Sequence, residues 1–259
     1  MQKTSAAGIN GMKKPENKQQ RMVKAMDKQQ REDFLNHLAT KAGRPRHQLV
    51  NHSFKPLNNL PEATLSGKTQ DELLEIARKN SENVHVDFRT TTSDQLAKLL
   101  NDYVQYKNIH HLILPTTDVW QKFKLTDWQQ NTGVETNYWI PQAARKENIQ
   151  RAQNADGAIG FADFLLAESG TLTVATTPGQ GRAFHFLPTH YLSLIPKSKI
   201  VPRSRQAMVA YEEKLHSGEL KTSNINFITG PSNSGDIEMV LVVGVHGPLD
   251  MTYVVVEDL

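Results

Sequence analysis

The sequence predicts an α/β protein whose core is a mostly parallel sheet sandwiched by helices. Two observations carry that expectation. Strand and helix signals alternate from about residue 69 to the C-terminus, the pattern of a sheet covered on both faces. The strand-like runs, among them "HLILP", "HYLSLIP" and "MTYVVVE", are near-continuously apolar, as strands buried on two sides are. A chain of 259 residues, 38% hydrophobic and 22% charged, is long enough for one large domain and an extension.

Residues 1–15 are polar and glycine-containing and read as disordered. From Glu16 to about Ala42, Met22, Met26, Phe34, Leu35 and Leu38 recur at three- and four-residue steps, which predicts a helix. "GRPRHQLVNHSFKPLNNLPE" (43–62) interrupts it with prolines and reads as an extended connector. The expected organisation is a helical arm and connector over 1–60 and an α/β domain over 61–259.

Within that domain, "TQDELLEIARKN" (69–80) opens with Thr69 and Glu72 at capping-box spacing. "NVHVDF" predicts a strand, and Ser93 suits the cap of a helix from Asp94 to about Tyr106. "IHHLILP" (109–115) predicts a strand stopped by proline, whereas Thr116 to Pro141 gives no clear signal. "QAARKENIQRAQNADG" predicts a helix closing on its glycine. In 158–182, two apolar runs flank "AESG". "HYLSLIP", "NINFITGP" and "MTYVVVE" predict strands, and 201–218 a helix with proline near its start and Gly218 at its end. The strands near 109–114, 158–162, 171–175, 191–195, 225–229 and 251–256 are expected to share one sheet region, with 16–42 helical outside it.

Composition removes whole classes of chemistry. Without a cysteine, the chain cannot form disulfides, thiolate zinc sites or cysteine-held iron–sulfur clusters. No apolar run approaches the roughly 18 residues of a membrane span, and the polar, lysine-rich start has no signal-peptide core. A cytoplasmic protein is expected. Net charge is +3, but residues 1–50 carry 11 Lys/Arg against 4 Asp/Glu, a local +7 that leaves −4 for the rest. Such an arm reads as a solvated helical face, and no aromatic interleaving supports nucleic-acid stacking.

Three stretches carry candidate chemistry. "GPSNSGDIEMVLVVGVHGP" (230–248) brings Gly230, Ser232, Asp236, Glu238 and His246 into one glycine-punctuated segment after a strand, where open α/β sheets bind ligands. Its middle fits a short helix beginning near Ser234 or a strand over 237–243; the period supports both. In "AESGTLT", Glu168 lies between an apolar run and Gly170-Thr171, a setting for a base or nucleophile or simply for a hairpin turn. "TTPGQGR" (176–182) offers Arg182 as a carboxylate or phosphate clamp on a loop that reads as mobile. The histidines make no metal site, since His110 and His111 are adjacent and point to opposite faces of a strand.

These segments resemble the lactate utilization protein C family, which carries the LUD domain. "AESGTL" (167–172), "LPTHYLSLIP" (187–196), "TGPSNSGDIEMVLVVGVHGP" (229–248) and "FLNHLATKAGRPR" (34–46) are similar to that family's motifs. The resemblance implies a fold of the phosphosugar isomerase and CoA-transferase group, with a Rossmann-like core. It also implies a part in oxidising L-lactate to pyruvate beside iron–sulfur partner proteins. No cofactor is expected on this chain itself. Glu168 and His246 are then the expected catalytic pair, with Gly170, Thr171, Arg182, Gly230, Ser232, Asp236 and Glu238 around a small anionic ligand. The alternative is a freestanding enzyme of the isomerase or CoA-transferase type with Glu168 as nucleophile or base.

Overall fold

The computed structural model describes residues 28–46, 56–234, 242–244 and 246–259. The expectations for residues 1–27 and for Asp236 and Glu238 fall outside them. The chain divides into two compact units, Met1–Leu57 and Asn58–Leu259. In the first, α1 (Lys28–Lys41) realises the C-terminal half of the expected arm helix. Arg46 bonds Glu32 at 3.0 Å, tying the chain after the helix back to its first turns.

The second unit is built on a six-stranded, all-parallel sheet. Its strands are β1 (Val86–Thr91), β2 (His111–Pro115), β3 (Glu135–Trp139), β4 (Gly157–Phe161), β7 (His190–Pro196) and β12 (Asp250–Val256), in the order β1-β12-β7-β4-β2-β3. Parallel neighbours need long crossovers, and helices supply several of them. α4 (Ser93–Tyr106) leads from β1 to β2, and α5 (Val119–Lys122) and α6 (Thr126–Gln130) lie between β2 and β3. α7 (Arg145–Gln153) leads from β3 to β4.

One face of the sheet is covered by α4, α5 and α6. Leu96, Leu100, Tyr103, Trp120 and Phe123 pack there on Leu112, Leu114, Ile159, Leu192 and Val254. Leu96 and Leu100 are fully buried, each contributing roughly 1.5–3 kcal/mol. On the other face, α3 (Gln70–Asn83) and α7 pack with Ile113, Ala158, Tyr191 and Tyr253. The capping box of Thr69 and Glu72 forms as the sequence indicates.

Two expectations need correction. The runs near 171–175 and 225–229 do not join the parallel sheet. They are β6 (Thr171–Ala175) and β9 (Ile225–Ile228), which with β5 (Phe164–Leu166) and β8 (Ile200–Val201) form a separate four-stranded sheet. The reason is length: Ala167–Gly170 is too short for a crossover, so β5 and β6 pair antiparallel. α8 (Ser204–Ser217) covers this sheet through Ala207 and Tyr211 and ends, as expected, on Gly218 in the left-handed conformation. The extended connector also ends early, because Leu60–Ala63 form the short helix α2 with proline near its start.

Smaller differences concern helix ends. The N-cap of α4 is Thr92, not Ser93, and its side chain makes no capping bond. Asp258 substitutes for it, accepting from the Ser93 N–H at 2.7 Å and the Ser93 hydroxyl at 2.6 Å. Gly157 does not close α7, whose C-cap is Asn154. It opens β4, where a Cβ would stand 2.6 Å from the Ile109 side chain. Among the described residues, no helix is long and apolar enough to cross a membrane.

Candidate functional site

The expected site residues separate into two groups. The first surrounds the tight turn after β5. Gly170 sits there at φ +64°, and a Cβ would lie 2.5 Å from the Ser81 nitrogen. Asn80 fastens the turn by donating to the carbonyls of Ala167 (2.8 Å) and Glu168 (2.9 Å). The Glu168 carboxylate is partly exposed and accepts a charged hydrogen bond from Arg203 Nε. Behind it, Ser169 donates to Thr171 Oγ1 at 2.8 Å, which lies 2.8 Å from Thr229 Oγ1. Gly230 follows at φ +70°, where a Cβ would stand 2.2 Å from the Val84 carbonyl oxygen.

Arg182 stands at the other end of β6, roughly 14 Å along a five-residue strand. It borders a cleft of about 780 Å³ whose lining includes Trp139, Arg145, Ile149, Thr176, Thr177 and His246. Glu168 does not border this cleft. The expectation of one concavity holding Glu168 and His246 together therefore finds only His246 and Arg182 in common.

Ser232 and His246 are joined through the backbone. The His246 N–H donates to Ser232 Oγ at 3.2 Å, and the Gly244 N–H donates to the Ser232 carbonyl at 2.7 Å. Ser234 belongs to a two-residue strand, β10 (Asn233–Ser234), paired antiparallel with β11 (Val242–Val243). Ser234 itself is therefore a strand residue, and the segment 235–241, where the sequence supports a helix or a strand, lies outside the described residues.

The loop expected to be mobile is braced. The Thr116 N–H donates to the Gly179 carbonyl at 3.0 Å. The Gln180 amide brackets the backbone of Phe161, donating to its carbonyl at 2.9 Å and accepting its N–H at 3.2 Å. Its glycines serve close packing: a Cβ on Gly179 would stand 1.9 Å from Thr116 O, and one on Gly181 would stand 2.1 Å from the Trp139 ring. Arg182 therefore projects from a fixed base.

Arg145, which the sequence reading missed, completes the cleft. It is the first residue of α7, whose N-cap Ala144 offers no capping side chain. The free N–H groups and positive dipole end of a helix attract an anion there. A cation in that first turn opposes the dipole, and this was the available sequence signal. Among the described residues lining the cleft there is no carboxylate, so two guanidiniums face it without a built-in counterion. Such a surface holds a small carboxylate by charged, bidentate hydrogen bonds.

His185, next in the chain to the cleft residue Phe186, is fully buried, with Nδ1 2.9 Å from the Tyr191 hydroxyl and Nε2 without a partner among the described residues. Burial pushes its imidazole down to about 3, so the ring is neutral. His190, at the start of β7, pairs its Nδ1 with Asp250 at 2.8 Å, and Lys107 reaches the same carboxylate at 3.0 Å. Among the described residues, no group of His, Asp and Glu is arranged to hold a metal ion.

Comparison with known proteins gives a consistent picture. Residues 74–256 match the LUD domain model. The chain is 41% identical over 237 residues to "Lactate utilization protein C" of Geobacillus kaustophilus (88% of this chain, 96% of the relative). It is 37% identical to the protein of that name from Halalkalibacterium halodurans (89% of this chain, 99% of the relative). Among solved structures, a DUF162 family protein of Deinococcus radiodurans aligns with a TM-score of 0.54 at 16% identity. It covers 73% of this chain and 99% of its own, a likeness of fold alone.

Proposed function

This chain belongs to the LUD domain family, and on that premise we propose that it serves lactate utilization by holding the carboxylate of L-lactate or pyruvate in the arginine-lined cleft. The names of its relatives support the pathway. The observation that carries the site is that Arg145, Arg182 and the start of α7 meet at a cleft with no carboxylate among its described lining residues, Glu147 of the same helical turn lying instead 3.8 Å from Arg151. Thr177 and His246 border the same space and suit the hydroxyl or keto oxygen of such a ligand, because each can donate a hydrogen bond; Thr176, also there, already donates to Asn224 at 2.7 Å.

Oxidising a 2-hydroxy acid moves two electrons, which flavin, nicotinamide or metal clusters carry. A cysteine-free chain cannot ligate an iron–sulfur cluster through thiolates. In this reading the electrons pass to iron–sulfur partner proteins in the cytoplasm, and this chain binds or presents the substrate. The alternative, Glu168 as nucleophile, meets a carboxylate already engaged by the Arg203 guanidinium, a bond it would have to give up to attack a substrate. Recovery of a thioester on Glu168 after incubation with acyl-CoA would favour that alternative.

Calorimetric titration with L-lactate and pyruvate tests the cleft. Arg182→Gln and Arg145→Gln should each weaken binding by about 10- to 100-fold, since a hydrogen bond to a charged group is worth about 1.5–3 kcal/mol. Affinity unchanged in both variants would refute the site.

A further inference from the structure

A second pocket lies where the parallel sheet reverses its winding. From β2 the chain proceeds outward to β3, whereas from β4 it proceeds the other way, to β7 and β12, and β2 and β4 are neighbours. In open parallel sheets the crevice outside the carboxyl ends of such a pair is where ligands bind. The connections leaving both strands line a pocket of about 570 Å³ there: Lys122 and Phe123 after β2, Asp163 and Phe164 after β4, with Lys199 and Lys214 closing it. None of these residues belongs to the arginine-lined cleft.

The lining is chemically divided. Phe123 and Phe161 pack together with centroids 5.0 Å apart, and Lys199 Nζ lies 5.8 Å from the centre of the Phe164 ring. Lys214 is paired with Glu219 at 3.2 Å, but among the described residues Lys122 and Lys199 have no carboxylate within salt-bridge distance. Asp163 lines the pocket as well. One of its oxygens accepts from the Ala175 N–H (2.6 Å) and the Tyr211 hydroxyl (2.9 Å); burial pushes the carboxyl above its ordinary range, while the nearby charges of Lys214 and Lys199 pull it down.

We propose that this switch-point pocket is a separate binding site for an organic phosphate, its flat apolar body against Phe123, Phe161 and Phe164 and its phosphate held by Lys122 and Lys199. Lysines on separate elements act as point charges that suit the several oxygens of a phosphate. Paired guanidiniums, as in the other cleft, suit the fork of a carboxylate. The volume falls in the range of small-ligand sites.

Fluorescence titration with 1-naphthyl phosphate tests this, with the Arg182→Gln protein as the background so that the arginine cleft contributes little. Saturable binding is expected, competed by inorganic phosphate and absent for 1-naphthol at the same concentrations. Lys122→Gln and Lys199→Gln should each raise Kd about tenfold with an unchanged circular dichroism spectrum. The proposal is overturned if no saturable binding occurs, if both lysine variants bind as well as their parent, or if 1-naphthol binds equally well. These outcomes do not bear on lactate binding, which the calorimetry reads at the other cleft.

Discussion

His185 shows how a single buried group couples this fold to pH. Its imidazole is held neutral down to about pH 3 by burial, whereas in the unfolded chain it protonates near 6.5. Its folded pKa is depressed, so its contribution is fully present above about pH 6.5 and is lost as pH falls toward 3. Between pH 7 and pH 5 the loss amounts to about 2 kcal/mol. Urea unfolding at the two pH values should show that difference in the wild-type protein and not in His185→Gln. Equal pH dependence in both would place the ring outside the core. Gly170→Ala makes a second residue-scale prediction. A left-handed, non-glycine residue costs roughly 1–2 kcal/mol, and contact with the Ser81 backbone adds to it, so the urea midpoint should fall by at least that equivalent. At this scale the sequence was partly legible. Gly170 and Gly230 could be recognised as turn glycines, but Gly157, Gly179 and Gly181 are required by close approach of distant segments, which no local pattern reveals.

At the scale of elements, α4 illustrates what a local pattern reads and what it misses. Its length and apolar face follow from residues 93–106 alone, yet its cap is supplied by Asp258, 165 positions from Ser93. The Ser93 hydroxyl, then the Ser93 N–H, hold that carboxyl below its ordinary range. The depressed pKa means that its contribution is present above about pH 4 and disappears as pH falls through the folded value. Asp258→Ala should lower the Tm at pH 7, Asp258→Asn should lower it less, and the gap between Ala and wild type should narrow at pH 3. A constant gap would indicate that the carboxylate charge plays no part. The division into two sheets was legible in principle, because a four-residue turn at "AESG" permits only antiparallel pairing. The continuously buried strands of both sheets look alike in sequence, and that similarity obscured it. The helices and strand between Thr116 and Pro141 gave no periodic signal. Trp120 and Trp128 there anchor short helices by tertiary packing on Phe161 and on each other, and the Trp128 indole is bonded to Asn101.

At the scale of the whole molecule, the candidate site came from parts the sequence scattered over a hundred positions. Arg182 and His246 were identified from their motifs; Arg145 joined them only because α7 crosses from β3 back to β4. Glu168 was drawn toward the same place by its motif, but a five-residue strand separates it from Arg182. Because the core clusters of the sheet lie between Leu73 and Val256, a chain comprising residues 58–259 alone should unfold in one cooperative transition and keep its binding of L-lactate. Loss of that transition would show that the first unit is needed for the fold. Growth measures most directly whether this chain serves lactate utilization through the arginine-lined cleft. In a strain of the source organism lacking this chain, the wild-type sequence should restore growth on L-lactate as sole carbon source. The Arg145→Gln/Arg182→Gln double variant, produced at the same level and equally folded, should leave growth on L-lactate abolished and growth on glucose normal. Full growth of the double variant on L-lactate would show that the two arginines of the cleft are not needed for lactate utilization.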